Sequence, residues 1–271
     1  MTIDMISDDV LLEIFNSCII RDSYYFHYCP WDWERLVHVC RRWRQLICTS
    51  PRSLHLELCC TLSTPIRQYL GAWPAFPIVL DYTHIDCGRD VHPDDDNDIA
   101  ALEHPNRICC LRFQFDVTTP RLKKQATIIV QELLMSFPAL KFLMLSSDPN
   151  SDTPVLPGGF LGGYVPCLQE LCLRAISFPA LPTLLLSARD LVTLKLYRIP
   201  PTGYISPEAM VTGMAALTRL RTLRIEFQFR FLSSNSHPDG IRPPPVTRDV
   251  LPALTTFEFE GVGDYLEDLV A

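Results

Sequence analysis

From about residue 105 the chain repeats one arrangement of apolar and polar positions: apolar, two others, apolar, one other, apolar. It appears as Ile108-Leu111-Phe113, Leu140-Leu143-Leu145, Leu168-Leu171-Leu173, Leu191-Leu194-Leu196, Leu220-Leu223-Ile225 and Leu254-Phe257-Phe259. The central residues recur at steps of 23 to 34 positions. The last two apolar positions stand two apart, so they point to the same face of a strand. The first fills the corner where the chain turns into that strand. One short strand cannot bury such a face, but stacked strands can, and such units therefore come in series. A fourth apolar residue often follows, as at Ile176, Ile199 and Val262.

The segments between the strands read as helices. RLKKQATIIVQELLMSF (121–137) follows Pro120, a natural first-turn residue. SPEAMVTGMAAL (206–217) offers Ser206 as N-cap and Pro207 at the first helical position. GVGDYLEDLVA closes the sequence as a short helix. Stretches 146–164 and 233–249, rich in Pro, Gly, Ser and Asp, read as loops. Upstream, Leu54, Leu56 and Leu58 alternate at period two in SPRSLHLELCC, and AFPIVLDY (75–82) points Ile78 and Leu80 inward. Both suit first rungs of the same stack.

The first fifty residues change to helical spacing. ISDDVLLEIF (6–15) has Ser7 as N-cap and Asp8 and Asp9 in the first turn, where the helix dipole favours acids. In LVHVCRRWRQLI (36–47), Leu36, Val39, Cys40, Trp43, Leu46 and Ile47 share a stripe, read as one amphipathic helix or two short ones meeting near His38.

These two segments resemble the F-box. The match runs through Ile6-Ser7, Asp9, Val10-Leu11 and Ile14-Phe15, then Leu36, Val39, Cys40, Arg41 and Trp43, the last five standing for the family's Leu-x-x-Val-Cys-[Arg/Lys]-x-Trp. Ser7 stands where the family has proline, and the connection over 16–33 is longer than usual. The apolar-x-x-apolar-x-apolar units resemble leucine-rich repeats over 105–271, and the order of the two parts is similar to that of the fungal-type F-box/leucine-rich-repeat family. The resemblance implies an α/β fold, an N-terminal helical F-box (1–50) followed by an irregular solenoid with a curved parallel sheet. Residues 51–104 are then a linking region with the first rungs, and 105–271 the repeat domain.

It also implies a function: the substrate-recognition subunit of a Skp–cullin–F-box ubiquitin ligase. The box docks a Skp-type adaptor and through it the cullin and RING subunits, while the repeats hold an unknown protein substrate. Carried over residue by residue, Ile6, Val10, Leu11, Ile14, Leu36, Val39 and Trp43 belong to the adaptor interface or the small core behind it. The arginines of the basic stretch are expected to be solvated or to meet acids on the adaptor. The outward rung positions, Arg112, Lys141, Lys195, Arg221 and Arg224 among them, are where a substrate would be read. The alternative is a leucine-rich-repeat interaction scaffold without a ligase role.

Charge and composition narrow the field. Of the formal charge of −7, the whole amount falls in residues 81–103, which hold eight acids and one base. The remainder is neutral, which gives no general attraction to nucleic acid. Asp94, Asp96 and Asp98 alternate, but no Gly and Glu complete a calcium loop. His84, Cys87, His92 and His104 fit no zinc spacing. Eleven cysteines without a CxxC, and an acidic opening where a secretory signal needs bases, suit reduced thiols in the cytoplasm or nucleus. No apolar run reaches membrane-span length. The sequence has no GxxxxGK[ST], GxSxG, HExxH or GxGxxG. The expectation is a protein without catalytic residues, metal or cofactor, with PGGFLGGY (157–164) a flexible loop.

Overall fold

The computed structural model describes residues 6–18, 32–50, 54, 56–60, 66–72, 76–82, 100–115, 130–148, 153–228 and 251–270. One open sheet of eight parallel strands, paired strictly in chain order, runs through them. The strands are β1 (Leu58–Cys60), β2 (Ile78–Tyr82), β3 (Ile108–Phe115), β4 (Phe142–Ser147), β5 (Glu170–Arg174), β6 (Thr193–Ile199), β7 (Thr222–Phe227) and β8 (Thr256–Glu260). The helices are α1 (Asp8–Cys18), α2 (Asp32–Val37), α3 (Arg41–Thr49), α4 (Ile66–Ala72), α5 (Leu181–Leu185), α6 (Pro207–Met214) and α7 (Gly263–Val270). The architecture is an α/β solenoid of the leucine-rich-repeat kind, with helices at its N-terminal end. The sheet crosses residue 104, so the linking region supplies its first two rungs.

The register explains the repeated spacing. Leu80, Leu111, Leu143, Leu171, Leu194, Leu223 and Phe257 are partners from strand to strand. Two residues on, Tyr82, Phe113, Leu145, Leu173, Leu196, Ile225 and Phe259 form a second inward row. A parallel strand needs a crossover to its neighbour, and here α5 and α6 are crossovers, burying Leu181, Leu184, Leu185, Met210 and Met214 in the same core. Each fully buried leucine of these rows contributes about 1.5–3 kcal/mol by leaving water. In α6 the sequence reading holds in detail: the Ser206 hydroxyl accepts from the Ala209 N–H at 3.2 Å, with Pro207 in the first turn.

The rungs β4 to β8 are each entered through one tight turn. The N–H groups of Leu140, Leu168, Leu191, Leu220 and Leu254 donate to the carbonyls three residues back, on Phe137, Val165, Ala188, Leu217 and Leu251. Phe137, Val165, Ala188 and Leu217 are buried. The repeat therefore has a further apolar position, three before the first one read from the sequence.

Three local expectations change. The alternating leucines of 54–58 yield a strand only at Leu58–Cys60, with Leu54 and Leu56 buried ahead of it. Most of the helix expected over 121–137 lies outside the described residues, and its described end is helical at 130–132. PGGFLGGY is an anchored turn. Phe160 and Leu161 are fully buried, Phe160 meets the edge of Phe178 at 5.6 Å, and the Leu161 N–H donates to the Leu133 carbonyl at 2.7 Å. Leu161 holds a φ of 55°, which a branched side chain adopts only when its surroundings fix it. The proposed loop at 233–249 and the acidic loop at 89–98 lie outside the described residues.

Candidate functional site

The N-terminal helices are built from the two segments of helical spacing. α1 starts after Ser7, whose carbonyl accepts from the Leu11 N–H at 3.0 Å, and Asp8 and Asp9 lie in its first turn. The stripe over 36–47 is not one helix. α2 ends at Val37, and α3 begins after Cys40, whose extended backbone (φ −157°) interrupts the helix. The Cys40 thiol caps α3 by accepting from the Trp43 N–H at 3.5 Å. The break turns Val39 and Cys40 out to solvent and leaves Ile47 as the buried anchor of α3.

The residues of these helices divide into two sets. Leu11, Phe15, Val37 and Ile47 are buried in the same continuous core as the first rungs. Ile6, Leu12, Leu36, Trp43 and Leu46 pack against that core while partly exposed. Trp43 stands edge-on to Phe15, 4.7 Å between centroids, and its indole nitrogen is buried without a hydrogen-bond partner. Val10, Ile14 and Val39 are 49%, 40% and 56% exposed. Val10 and Ile14 stand one turn apart on α1. Of the seven residues read as an adaptor surface, these three offer the most apolar surface to a partner. Ile6, Leu36 and Trp43 offer part of theirs, and Leu11 belongs wholly to the core behind.

The basic stretch has an internal use that the sequence did not reveal. Arg42 pairs with Asp8 (Nη2–Oδ1 2.6 Å) and donates from Nη2 to the Ile6 carbonyl at 2.5 Å. Arg44 donates from Nε to the Val37 carbonyl at 3.0 Å, across the helix break. These two arginines tie α3 to the start of α1 and the end of α2 while keeping part of their surface in solvent. Arg41 is exposed.

The outward row of the sheet runs Asp81, Arg112, Met144, Cys172, Lys195, Arg224, Glu258. Arg112 pairs with Asp81 at 3.2 Å and lies over the Phe142 ring at 4.8 Å. Arg224 lies over Tyr197 at 4.8 Å and reaches Glu258 at 2.6 Å and Glu226 at 3.6 Å. Of the five cations read as substrate contacts, Arg112, Lys195 and Arg224 share this row. Lys141 and Arg221 precede their strands, where they are exposed.

A second small apolar cluster, Cys59, Val79 and Cys109 with Cys110 against it, lies apart from the main core. A register shift between Ile78 and Val79 admits Cys109 as an extra residue in β3. Burial pushes the thiols of Cys59 and Cys109 up to about 12, and that of Cys172 to about 11. A thiol whose thiolate is disfavoured by burial is a poor nucleophile at pH 7. Among the described residues no group of three or more His, Cys, Asp or Glu is placed to hold a metal ion, and no helix is long and apolar enough to cross a membrane.

These elements define an open, all-parallel α/β repeat protein whose first rungs are joined by a short helical cluster with an exposed aliphatic surface. Comparison with family models, curated proteins and solved structures finds no match for the chain.

Proposed function

We propose that this protein is a substrate-receptor subunit of a Skp–cullin–F-box ubiquitin ligase, docking a Skp-type adaptor through α1–α3 and presenting a protein substrate from its repeats. The observation that carries the reading is the exposure of Val10 and Ile14 on α1 and of Val39 in the turn between α2 and α3, while Leu11, Phe15, Val37 and Ile47 of the same cluster are committed to the core. Small helical clusters that expose aliphatic side chains beside a formed core present the anchors a partner's groove takes up. The F-box resemblance of these same residues names the partner. In this reading the chain makes and breaks no covalent bond, and its contribution is proximity between a substrate lysine and the charged ubiquitin carrier.

The test is co-expression with a Skp-type adaptor, comparing wild type with Val10→Asp/Val39→Asp. Both positions are open to solvent, so the fold survives the change. Adaptor retained by wild type and lost by the double variant supports the proposal. Failure of wild type to retain the adaptor refutes it and leaves the repeat scaffold without a ligase role.

A further inference from the structure

On the face away from the core, the middle of the sheet differs from its flanks. Asp81 and Glu258 flank the outward row, and both are paired, with Arg112 and Arg224. Between them, on β4 to β6, the row reads Met144, Cys172 and Lys195, with Phe142, Arg174 and Tyr197 on neighbouring outward positions. Arg174 is exposed and the other five are partly exposed, so this part of the face is open to solvent.

Two of its cations have no acid. Lys195 is the register partner of Cys172, and Arg174 lies two residues further along β5. Neither forms an ion pair among the described residues. Burial holds the Cys172 thiol up, Lys195 and Arg174 pull it down, and Glu170 pushes it up, so these three charges lie about one side chain. Glu170 stands at the entry of β5 and Arg174 at its exit, about 13 Å apart in an extended chain, so this one acid does not neutralise both cations. Arg198 adds to the exit end. Strict alternation after Tyr197 would point it into the core, but its φ of 51° and the register shift between Leu196 and Ile199 turn it outward, where it reaches Glu226 at 3.8 Å. Glu226 also serves Arg224 at 3.6 Å, so one carboxylate is shared by two guanidinium groups.

The surroundings decide which anion fits. Asp81, Glu170, Glu226 and Glu258 bracket the cations and repel a continuous run of phosphates, which disfavours a nucleic-acid strand. Met144 and Cys172 lie directly beside Lys195 and Arg174 and offer apolar surface to the same ligand. We propose that the outward face of β4–β6 is a docking site for an acidic protein segment that carries carboxylates next to apolar side chains. Its carboxylates meet Lys195 and Arg174, and its apolar side chains cover Met144 and Cys172. Arg112 and Arg224, stacked on Phe142 and Tyr197, fix the two rings that border the site. The site rests on the reading that the repeats hold a protein substrate, and it uses none of α1–α3.

The test uses the full chain without adaptor and labelled six-residue peptides, followed by fluorescence anisotropy. One alternates glutamate and leucine, one lysine and leucine, and one glutamate and serine. The glutamate–leucine peptide is expected to bind, to weaken as salt rises, and to lose about tenfold in affinity for Arg174→Glu/Lys195→Glu. Arg174→Gln/Lys195→Gln, which introduces no new charge, is expected to lose less, and both variants are checked for an unchanged urea midpoint. Arg189→Glu, an exposed position in the turn before β6, is expected to bind as wild type does. No binding of the glutamate–leucine peptide, equal affinity in the Arg174/Lys195 variants, or the same loss in Arg189→Glu each overturns the proposal. So does equal binding of the lysine peptide, the serine peptide or single-stranded DNA. Adaptor retention plays no part in this assay, so adaptor docking and acidic-segment binding can each fail alone.

Discussion

Gly213 tests how closely the crossovers of this solenoid pack. It lies inside α6, where alanine is ordinarily preferred by about 0.8–1.0 kcal/mol. Yet a Cβ at this position would stand 2.7 Å from the Pro182 Cα and 3.0 Å from the Pro182 carbonyl oxygen. Both atoms are backbone of α5, so no rotamer change relieves the contact. α5 and α6 must move apart, loosening Leu181, Leu185, Met210 and Met214, which are all buried. Overpacking of this kind typically costs about 1–3 kcal/mol, and a sub-3 Å contact with backbone belongs in the upper part of that range. Packing therefore outweighs propensity, and Gly213→Ala is expected to destabilise by about 1–2 kcal/mol.

Gly71→Ala supplies the matched control. Gly71 is helical in α4, and a Cβ there meets nothing within 4 Å. With propensity alone at work, this substitution is expected to stabilise by about 0.5 kcal/mol. Urea unfolding followed by circular dichroism reads both changes as midpoint shifts of opposite sign. If Gly213→Ala proves as stable as wild type or more so, the close approach of α5 and α6 is refuted. If Gly71→Ala falls by the same amount as Gly213→Ala, the neighbour is not the cause.

Three further outcomes follow from named contacts. Trp43→Phe keeps an aromatic edge against Phe15 and removes a buried N–H without a partner, so it is expected to change stability by less than about 1 kcal/mol, whereas Trp43→Ala costs about 3 kcal/mol; a urea midpoint equal for both would contradict the packing. Tyr265→Phe removes the hydroxyl that donates to the Ile205 carbonyl and is expected to lower stability by about 1 kcal/mol, read by the same melt, with no loss meaning that the bond contributes nothing. Burial raises the Cys59 and Cys109 thiols from the usual 9.0 to about 12, so the unfolded chain loses their protons first: stability is full below pH 9 and declines as pH rises toward 12, and replacing both by alanine should flatten that decline.

The rungs were legible because side-chain alternation is a property of single strands. LxxLxL writes two inward positions and a corner directly into the sequence, and six such units predicted β3–β8, with β1 and β2 read as earlier rungs. What the sequence hid involves contacts between segments or a choice of backbone. The apolar residue three before each corner, such as Phe137 or Leu217, is explained only by the tight turn that buries it. The glycines of PGGFLGGY suggested freedom, but Phe160 and Leu161 decided the outcome by burial. Arg42 read as a surface cation because Asp8 is 34 residues away in sequence, and only folding brings them to 2.6 Å. The stripe over 36–47 fitted one helix as well as two. A side-chain sulfur at Cys40, able to cap the second helix, was the available local signal for the break.

Under the proposed function the N-terminal helices would carry two duties, and the exposure of their residues separates them. A repeat array needs its terminal rungs covered, since each unit buries its apolar face only against a neighbour. Leu11, Phe15, Val37 and Ile47 meet that need by joining the core of the first rungs, whatever else binds this end. Loss of adaptor binding after a change at Leu11 would therefore report a broken cap as readily as a broken interface. Val10, Ile14 and Val39 contribute little to the cap, so a partner is what would give their apolar surface a stabilising role. A large binding effect at these three with an unchanged urea midpoint is the signature of docking. A small binding effect with a shifted midpoint would mean that the cluster is a cap and nothing more. Deuterium exchange separates the same two cases without substitution, because docking would slow exchange in α1 and around Val39 while leaving β5–β7 as they are in the free chain.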